Sequence, residues 1–316
     1  MNPPKPIQAT PSSPEKKTTT TANPAEVGPL ICAGLVLALC FGQSLFRLVG
    51  FSLHSDLYSH IILVPFISLY LIWINRAAPT PASVPDRRIA GCFFVAGGLL
   101  LAAAVGAASA GLQLTADDDL AVRVLSFLFF LTGLCAWFLG RRQLRALAFP
   151  LAFLLFMVPF PTALRGGLET FLQYGSADAA QALFRLSGTT VFHHDLMFGL
   201  PGINLEVAPE CSGIRSSLAL FITSLLAGHF FLRTPWKRAV LTLAVIPLAI
   251  LRNGFRIFTI GELCVHISPD MINSYIHRQG GPVFFVLSLV PFFLLLRVLF
   301  KSEPPEKISQ PTPLPP

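Results

Sequence analysis

Long apolar runs alternate with short polar breaks along most of the chain. A helix that crosses a membrane needs about 20 mostly apolar residues. Eight segments approach that length: 29–50, 57–75, 89–111, 120–139, 144–160, 212–232, 238–261 and 281–300. The fifth is short and ends at "PFP". Between the fifth and sixth runs, 161–211 is longer than an ordinary connection, and loops of that length tend to carry function. Within it, "TALRGGLETFLQYGSADAAQALFRLSG" repeats apolar residues at helical spacing opposite a polar face, which predicts a helix lying at the membrane interface. "TTVFHHDLMFGLPGINLEV" follows, with β-branched and aromatic residues punctuated by Gly and Pro, and predicts a short hairpin or extended pair capping the outer mouth. The ends are different. Residues 1–28 and 301–316 are rich in Pro, Ser, Thr and charge without apolar period, and read as disordered cytoplasmic tails around a 29–300 membrane domain. The expected fold is an all-α integral membrane protein.

Composition supports lipid as the solvent. Of 316 residues, 53% are hydrophobic and 12% charged, against about 25% charged in soluble domains. A net charge of +7 would suggest nucleic acid in a soluble chain, but no basic–aromatic stripe accompanies it. The basic residues gather instead in alternate loops: Arg76, Arg87 and Arg88, then Arg141, Arg142 and Arg145, then Arg233, Lys237 and Arg238. The opposite loops carry no Lys or Arg before the second run and only Asp117 to Asp119 between the third and fourth. The positive-inside rule therefore predicts cytoplasmic termini in a multi-pass protein of the plasma (inner) membrane, with 161–211 and 262–280 outside.

Chemistry gathers on that outer side. "EVAPECSGIRSS" (206–217) sets Cys211 beside Glu210 at the start of the sixth run. Pro209 stops backward extension of a helix there, and the free N–H groups of a first turn favour thiolate. Arg215 would stand one turn on, on the same face as Cys211. In "LRNGFRIFTIGE" (251–262), Arg252 and Arg256 share a face at i, i+4, with Asn253 between them. At 1.5 Å per residue Arg256 lies ~8 Å below the outer end of its helix. An arginine at the centre of a span costs about 2.5–3.5 kcal/mol on insertion scales and faces protein or water. His277 precedes the last run, next to Gly280 and Gly281. A thiol, a guanidinium and an imidazole delivered to one leaflet are the parts of nucleophilic acyl transfer.

Other readings of the same residues stay open. Cys32, Cys40, Cys92 and Cys135 lie in apolar runs as packing residues, whereas Cys211 and Cys264 could pair in a disulfide outside the membrane. The arginines could lock onto Glu206, Glu210 or Glu262. His193, His194 and Asp195 lack the usual ligand spacing, and no metal or cofactor is expected. His266 and His229 are further histidines, the latter near a cytoplasmic end. A transporter would use intramembrane arginines for an anion path, and a scaffold or a surface-polysaccharide assembly protein has no need of a thiol.

"ECSGIRSS", then "NGFR", then a histidine before a glycine pair resembles the exosortase/archaeosortase family of membrane cysteine transpeptidases. "YSHIILVPFISLYLIW" (58–73) and "LPGINLEVAPECSG" (200–213) add to the resemblance, which covers about 30 to 300. It implies a Cys-Arg-His active site falling on Cys211, Arg256 and His277, with Arg252 an extra cation just before the Asn-x-x-Arg pattern. It implies substrates that are secreted proteins ending in a short motif, a membrane span and a basic cluster. Membrane lipid is then the other partner, and nucleic acid is none.

Overall fold

The computed structural model describes residues 24–75, 85–111, 114–273 and 280–304. Most of both expected tails, Arg76 and His277 lie outside the described residues. The helices are α1 (Pro24–Cys40), α2 (Gly42–His54), α3 (Leu63–Asn75), α4 (Arg87–Ser109), α5 (Ala116–Ala146), α6 (Ala148–Phe153), α7 (Thr162–Ser187), α8 (Ile214–Phe231), α9 (Pro235–Leu243), α10 (Val245–His266) and α11 (Gly281–Lys301). Among the described residues five helices are long and apolar enough to cross a membrane, or up to seven if each of two broken pairs forms one span. The chain is a mostly helical, multi-pass membrane protein.

Among the described residues three of the eight expected runs are not single long helices. The first expected run is α1 and α2, bent by 70°, and α1 already begins at Pro24, inside the expected tail. The second is a 3-10 turn, Ser59–Ile62, followed by the 13-residue α3, which at 1.5 Å per residue reaches only about 20 Å. The fifth is the six-residue α6 and another 3-10 turn, Leu154–Met157. Hydropathy registers apolar mass and not the continuity of the i→i+4 ladder. Pro65, Pro150 and Pro159 stand at or near the breaks, where a missing N–H and a fixed φ reset the helix.

The chain forms two compact units, Met1–His54 with Ile61–Pro159 and Ser55–His60 with Phe160–Pro316. In the first, α5 starts on Thr115, whose side chain accepts from the Asp118 N–H, with Asp117, Asp118 and Asp119 in its first turn. That is favourable charge at the positive end of a helix. Ser126 on α5 donates to the Gly97 carbonyl of α4 at 2.8 Å. Val95 and Leu99 on α4 stay exposed, as lipid-facing positions do.

In the second unit α7 and α10 pack together. The helix expected over 162–188 is α7, closed by Gly188 in the left-handed conformation. Its stripe of Leu172, Gln173, Ser176, Ala177, Ala180 and Phe184 is buried, and α10 approaches at Gly254. A Cβ there would lie 2.6 Å from Ala179 Cβ and 3.0 Å from the Ser176 carbonyl, so only glycine permits the contact. The extended pair is in fact a three-stranded antiparallel sheet, β1 (Phe192–His194), β2 (Met197–Leu200) and β3 (Ile203–Glu206), in that order. Its inner face, Phe198, Leu200, Leu205 and Val207, closes a core with Phe184, Ile257, Ile260 and Cys264. A second core joins α8, α9, α10 and α11 through Leu220, Leu241, Val245, Phe292 and Leu296. Below it, Glu303 accepts from the Thr234 hydroxyl at 2.7 Å and from the Thr234 and Arg233 N–H groups at 3.2 Å each. This ties the end of α11 to the start of α9.

Candidate active site

Cys211 ends a 3-10 turn, Pro209–Cys211, that leaves β3 through Val207 and Ala208. Its N–H donates to the Ala208 carbonyl at 2.8 Å, and the Ser212 N–H donates to the Pro209 carbonyl at 3.0 Å. Gly213 then takes φ +74, and α8 begins at Ile214. Two expectations are corrected here. The thiol does not lie within the first turn of α8, because Gly213 turns the chain between them. Arg215 therefore does not share a helix face with Cys211, and it pairs with Asp56 at 3.3 Å, both side chains exposed.

Helix α10 holds this turn from the side. Asn253, 2% exposed, donates from Nδ2 to the Cys211 carbonyl at 2.7 Å. Arg252, 7% exposed, donates from Nη2 to the Gly213 carbonyl at 3.2 Å and to Ser217 Oγ at 3.3 Å. Ser217 in turn donates to the Gly213 carbonyl at 2.8 Å. The fit leaves no slack: a Cβ on Gly213 would sit 3.0 Å from Arg252 Nη2 and from the Asn253 side chain. On the strand side, Gln173 Nε2 of α7 donates to the Val207 carbonyl at 3.0 Å. Arg252 thus binds neutral oxygens among the described residues, and its Nη1 is buried there without a hydrogen-bond partner.

Cys211, Asn253 and Arg256 line one cavity of about 90 Å³. Leu205, Glu206, Val207 and Ala208 form one wall, Ile257 and Ile260 of α10 another, and Ile272 contributes from beyond α10. The expected convergence of Cys211 and Arg256 is therefore present. The Glu210 side chain and His277 lie outside the described residues. The bond from Asn253 to the Cys211 carbonyl was not legible in the sequence, since it joins positions 42 apart.

Residues 52–294 match the family model for transmembrane exosortases (Exosortase_EpsH). The chain belongs to the transmembrane exosortase family. No curated protein and no solved structure gives a match. The matched region of this exosortase-family chain contains every residue of the cavity described above.

The remaining polar candidates take other partners. Cys264 is buried in the core against which Cys211 packs, and both stand as thiols with no disulfide between them. Glu262, considered as an arginine lock, accepts instead from the Ser187 hydroxyl at 2.9 Å and the Thr189 hydroxyl at 2.6 Å. It also meets His266 Nε2 at 2.9 Å. His193 stacks on the Phe198 ring with centroids 4.5 Å apart, and His194 Nδ1 lies 3.2 Å from Asp195. Among the described residues no group of His, Cys, Asp and Glu is arranged to hold a metal ion.

Proposed function

We propose that this exosortase-family chain is a cysteine transpeptidase that cleaves the C-terminal sorting signal of secreted proteins and passes them to an acceptor. The observation that carries the reading is the single cavity lined by Cys211, Asn253 and Arg256. Cys211 Sγ attacks the scissile carbonyl carbon while His277 takes the thiol proton. The C–N bond breaks, the proton goes to the leaving amine, and the retained fragment is a thioester on Cys211. An acceptor amine then attacks the thioester, gives a proton to His277, and frees the thiol as the new amide forms. Water in place of the amine makes the same step a hydrolysis.

The arginines divide this work. Arg256, in the cavity wall, stabilises thiolate and the oxyanion of each tetrahedral intermediate. Arg252 and Asn253 are positioning residues that hold the turn carrying Cys211 through its carbonyl oxygens. Glu210, next to Cys211 in the chain, orients the substrate, and Arg215, paired with Asp56 on the surface, meets it farther from the thiol. The loop charges argue that the cavity opens on the extracytoplasmic face. A substrate anchored by its own span would bring its scissile bond to that level.

The test is to express a tagged secreted protein bearing such a C-terminal signal with the chain. The reaction is stopped in acid, and the Cys211 peptide is examined for an adduct that hydroxylamine releases as a hydroxamate. Cys211→Ala should abolish both adduct and cleavage, and His277→Ala should slow turnover strongly. Cleavage at the normal rate by Cys211→Ala would overturn the proposal.

A further inference from the structure

Strand β3 is an edge of the sheet, paired only with β2 among the described residues. Its register sets which backbone groups face outward. Val207 donates its N–H to the Leu196 carbonyl at 2.9 Å, and Leu205 and Ile203 stand opposite Phe198 and Leu200. Ladder bonds alternate along an antiparallel strand. Ile203 and Leu205 therefore turn their N–H and C=O toward β2, Val207 keeps only its N–H on that side because its carbonyl accepts from Gln173, and Asn204 and Glu206 turn their backbone groups to the open side. Such groups call for a partner.

The cavity reaches β3 at its C-terminal end. Side chains alternate across a strand, so a space over one face of β3 would meet every second residue. Here Leu205 and Glu206, consecutive residues of β3, both line it, with Val207 and Ala208 following beyond the strand, so the cavity meets the C-terminal end of that edge. Ile257 and Ile260 of α10, which share a core with Leu205 and Val207, give it an apolar side, and Cys211 lines it as well. An edge strand facing a helix across an apolar floor is a geometry that receives an extended peptide by strand addition.

Resting on the function proposed above, we infer that this groove binds the substrate segment just before the scissile bond as a fourth strand of the sheet. The direction follows from chain polarity. β3 runs from Ile203 through Glu206 toward Cys211, and the retained fragment must end with its carbonyl at that thiol. The docked strand is therefore parallel to β3, exchanging main-chain hydrogen bonds with Asn204 and Glu206. One small apolar side chain turns toward Ile257 and Ile260. Recognition at this position is of backbone more than of side-chain identity.

The test uses full-length protein in membranes and a tagged secreted reporter that carries the C-terminal signal proposed above. Asn204→Pro and Glu206→Pro each delete an outward N–H while sparing the β2 ladder, the setting in which edge strands accept proline. Each should slow release about five- to tenfold, with the melting temperature of the solubilised protein near that of wild type. His193→Pro makes the same backbone change on the far edge of β1, though it also removes the ring stacked on Phe198, and in protein that still folds it should leave release unchanged. Folded Asn204→Pro and Glu206→Pro proteins that release the reporter at the wild-type rate would overturn the docking and leave the thiol chemistry standing. Release that persists in Cys211→Ala would instead remove the function on which the docking rests.

If the proline variants do not fold, disulfide mapping decides. Glu206→Cys is combined with Cys211→Ala in a chain lacking the other native cysteines. Single cysteines are then walked through the reporter residues before the cut. Cross-links at every second position are expected, whereas none, or equal cross-linking at all positions, would refute a docked strand.

Discussion

Asn253 offers the sharpest test of how the site is held. Its amide is 2% exposed and donates to the Cys211 carbonyl at 2.7 Å. Asn253→Ala leaves that carbonyl without its donor, a penalty of about 1–3 kcal/mol for a buried acceptor. Asn253→Asp is worse, because a carboxylate oxygen then faces the carbonyl oxygen at hydrogen-bond distance. The kinetic cost has a separate origin. A displacement of about 1 Å in the turn that carries a nucleophile can lower the rate about 100-fold. For Asn253→Ala the expected result is a fall of about that size in the rate of thioester formation. KM for a tagged substrate should change little, since the cavity's apolar wall is intact. Stability is read from thermal melting of the solubilised protein, and the rate from acid-quenched time courses of the Cys211 adduct. Wild-type melting together with a wild-type rate in Asn253→Ala would show that the bond does not hold the site.

Three further outcomes are expected. Arg256→Lys should cut processing far more than Arg252→Lys, because a planar guanidinium in the cavity wall is not replaced by an ammonium; the opposite ranking in the same assay would move the catalytic role to Arg252. Cys264→Ala should keep processing while lowering stability by roughly 1 kcal/mol, and its melting and processing are measured beside those of Cys211→Ser, which should be inactive. Glu303 is held below its ordinary carboxyl pKa, first by the Thr234 hydroxyl and, with smaller effect, by the Thr234 N–H, Lys237 and the Arg233 N–H. Its contribution is complete above about pH 4.5 and is lost as pH falls through the depressed value, so thermal melts of wild type and Glu303→Gln should differ at pH 7 and converge on acidification.

Periodicity and turn chemistry are local, and what depends on them was legible in the sequence. The apolar period of 162–188 is α7, closed by a glycine as its composition implies. The Gly- and Pro-punctuated stretch after it is the sheet, although its middle strand, Met197–Leu200, was not separated from its neighbours. The motifs around Cys211 and Arg256 carried the family. Span continuity was less visible. A hydropathy window is blind to the bend after Cys40 and to the 3-10 turn at Leu154–Met157.

Long-range pairing was decided only by the tertiary structure. Nothing in "ECSGIRSS" says that Gly213 turns Arg215 away toward Asp56, or that Arg252 reaches the Gly213 carbonyl from another helix. Those contacts exist because Gly254 lets α10 lie directly on α7, which sets the depth and rotation at which Arg252, Asn253 and Arg256 meet the turn. A sequence specifies which groups are present and the local geometry of each. Which carbonyl a buried donor finds depends on the rotation of one packed helix against another, and that rotation is a property of the whole core.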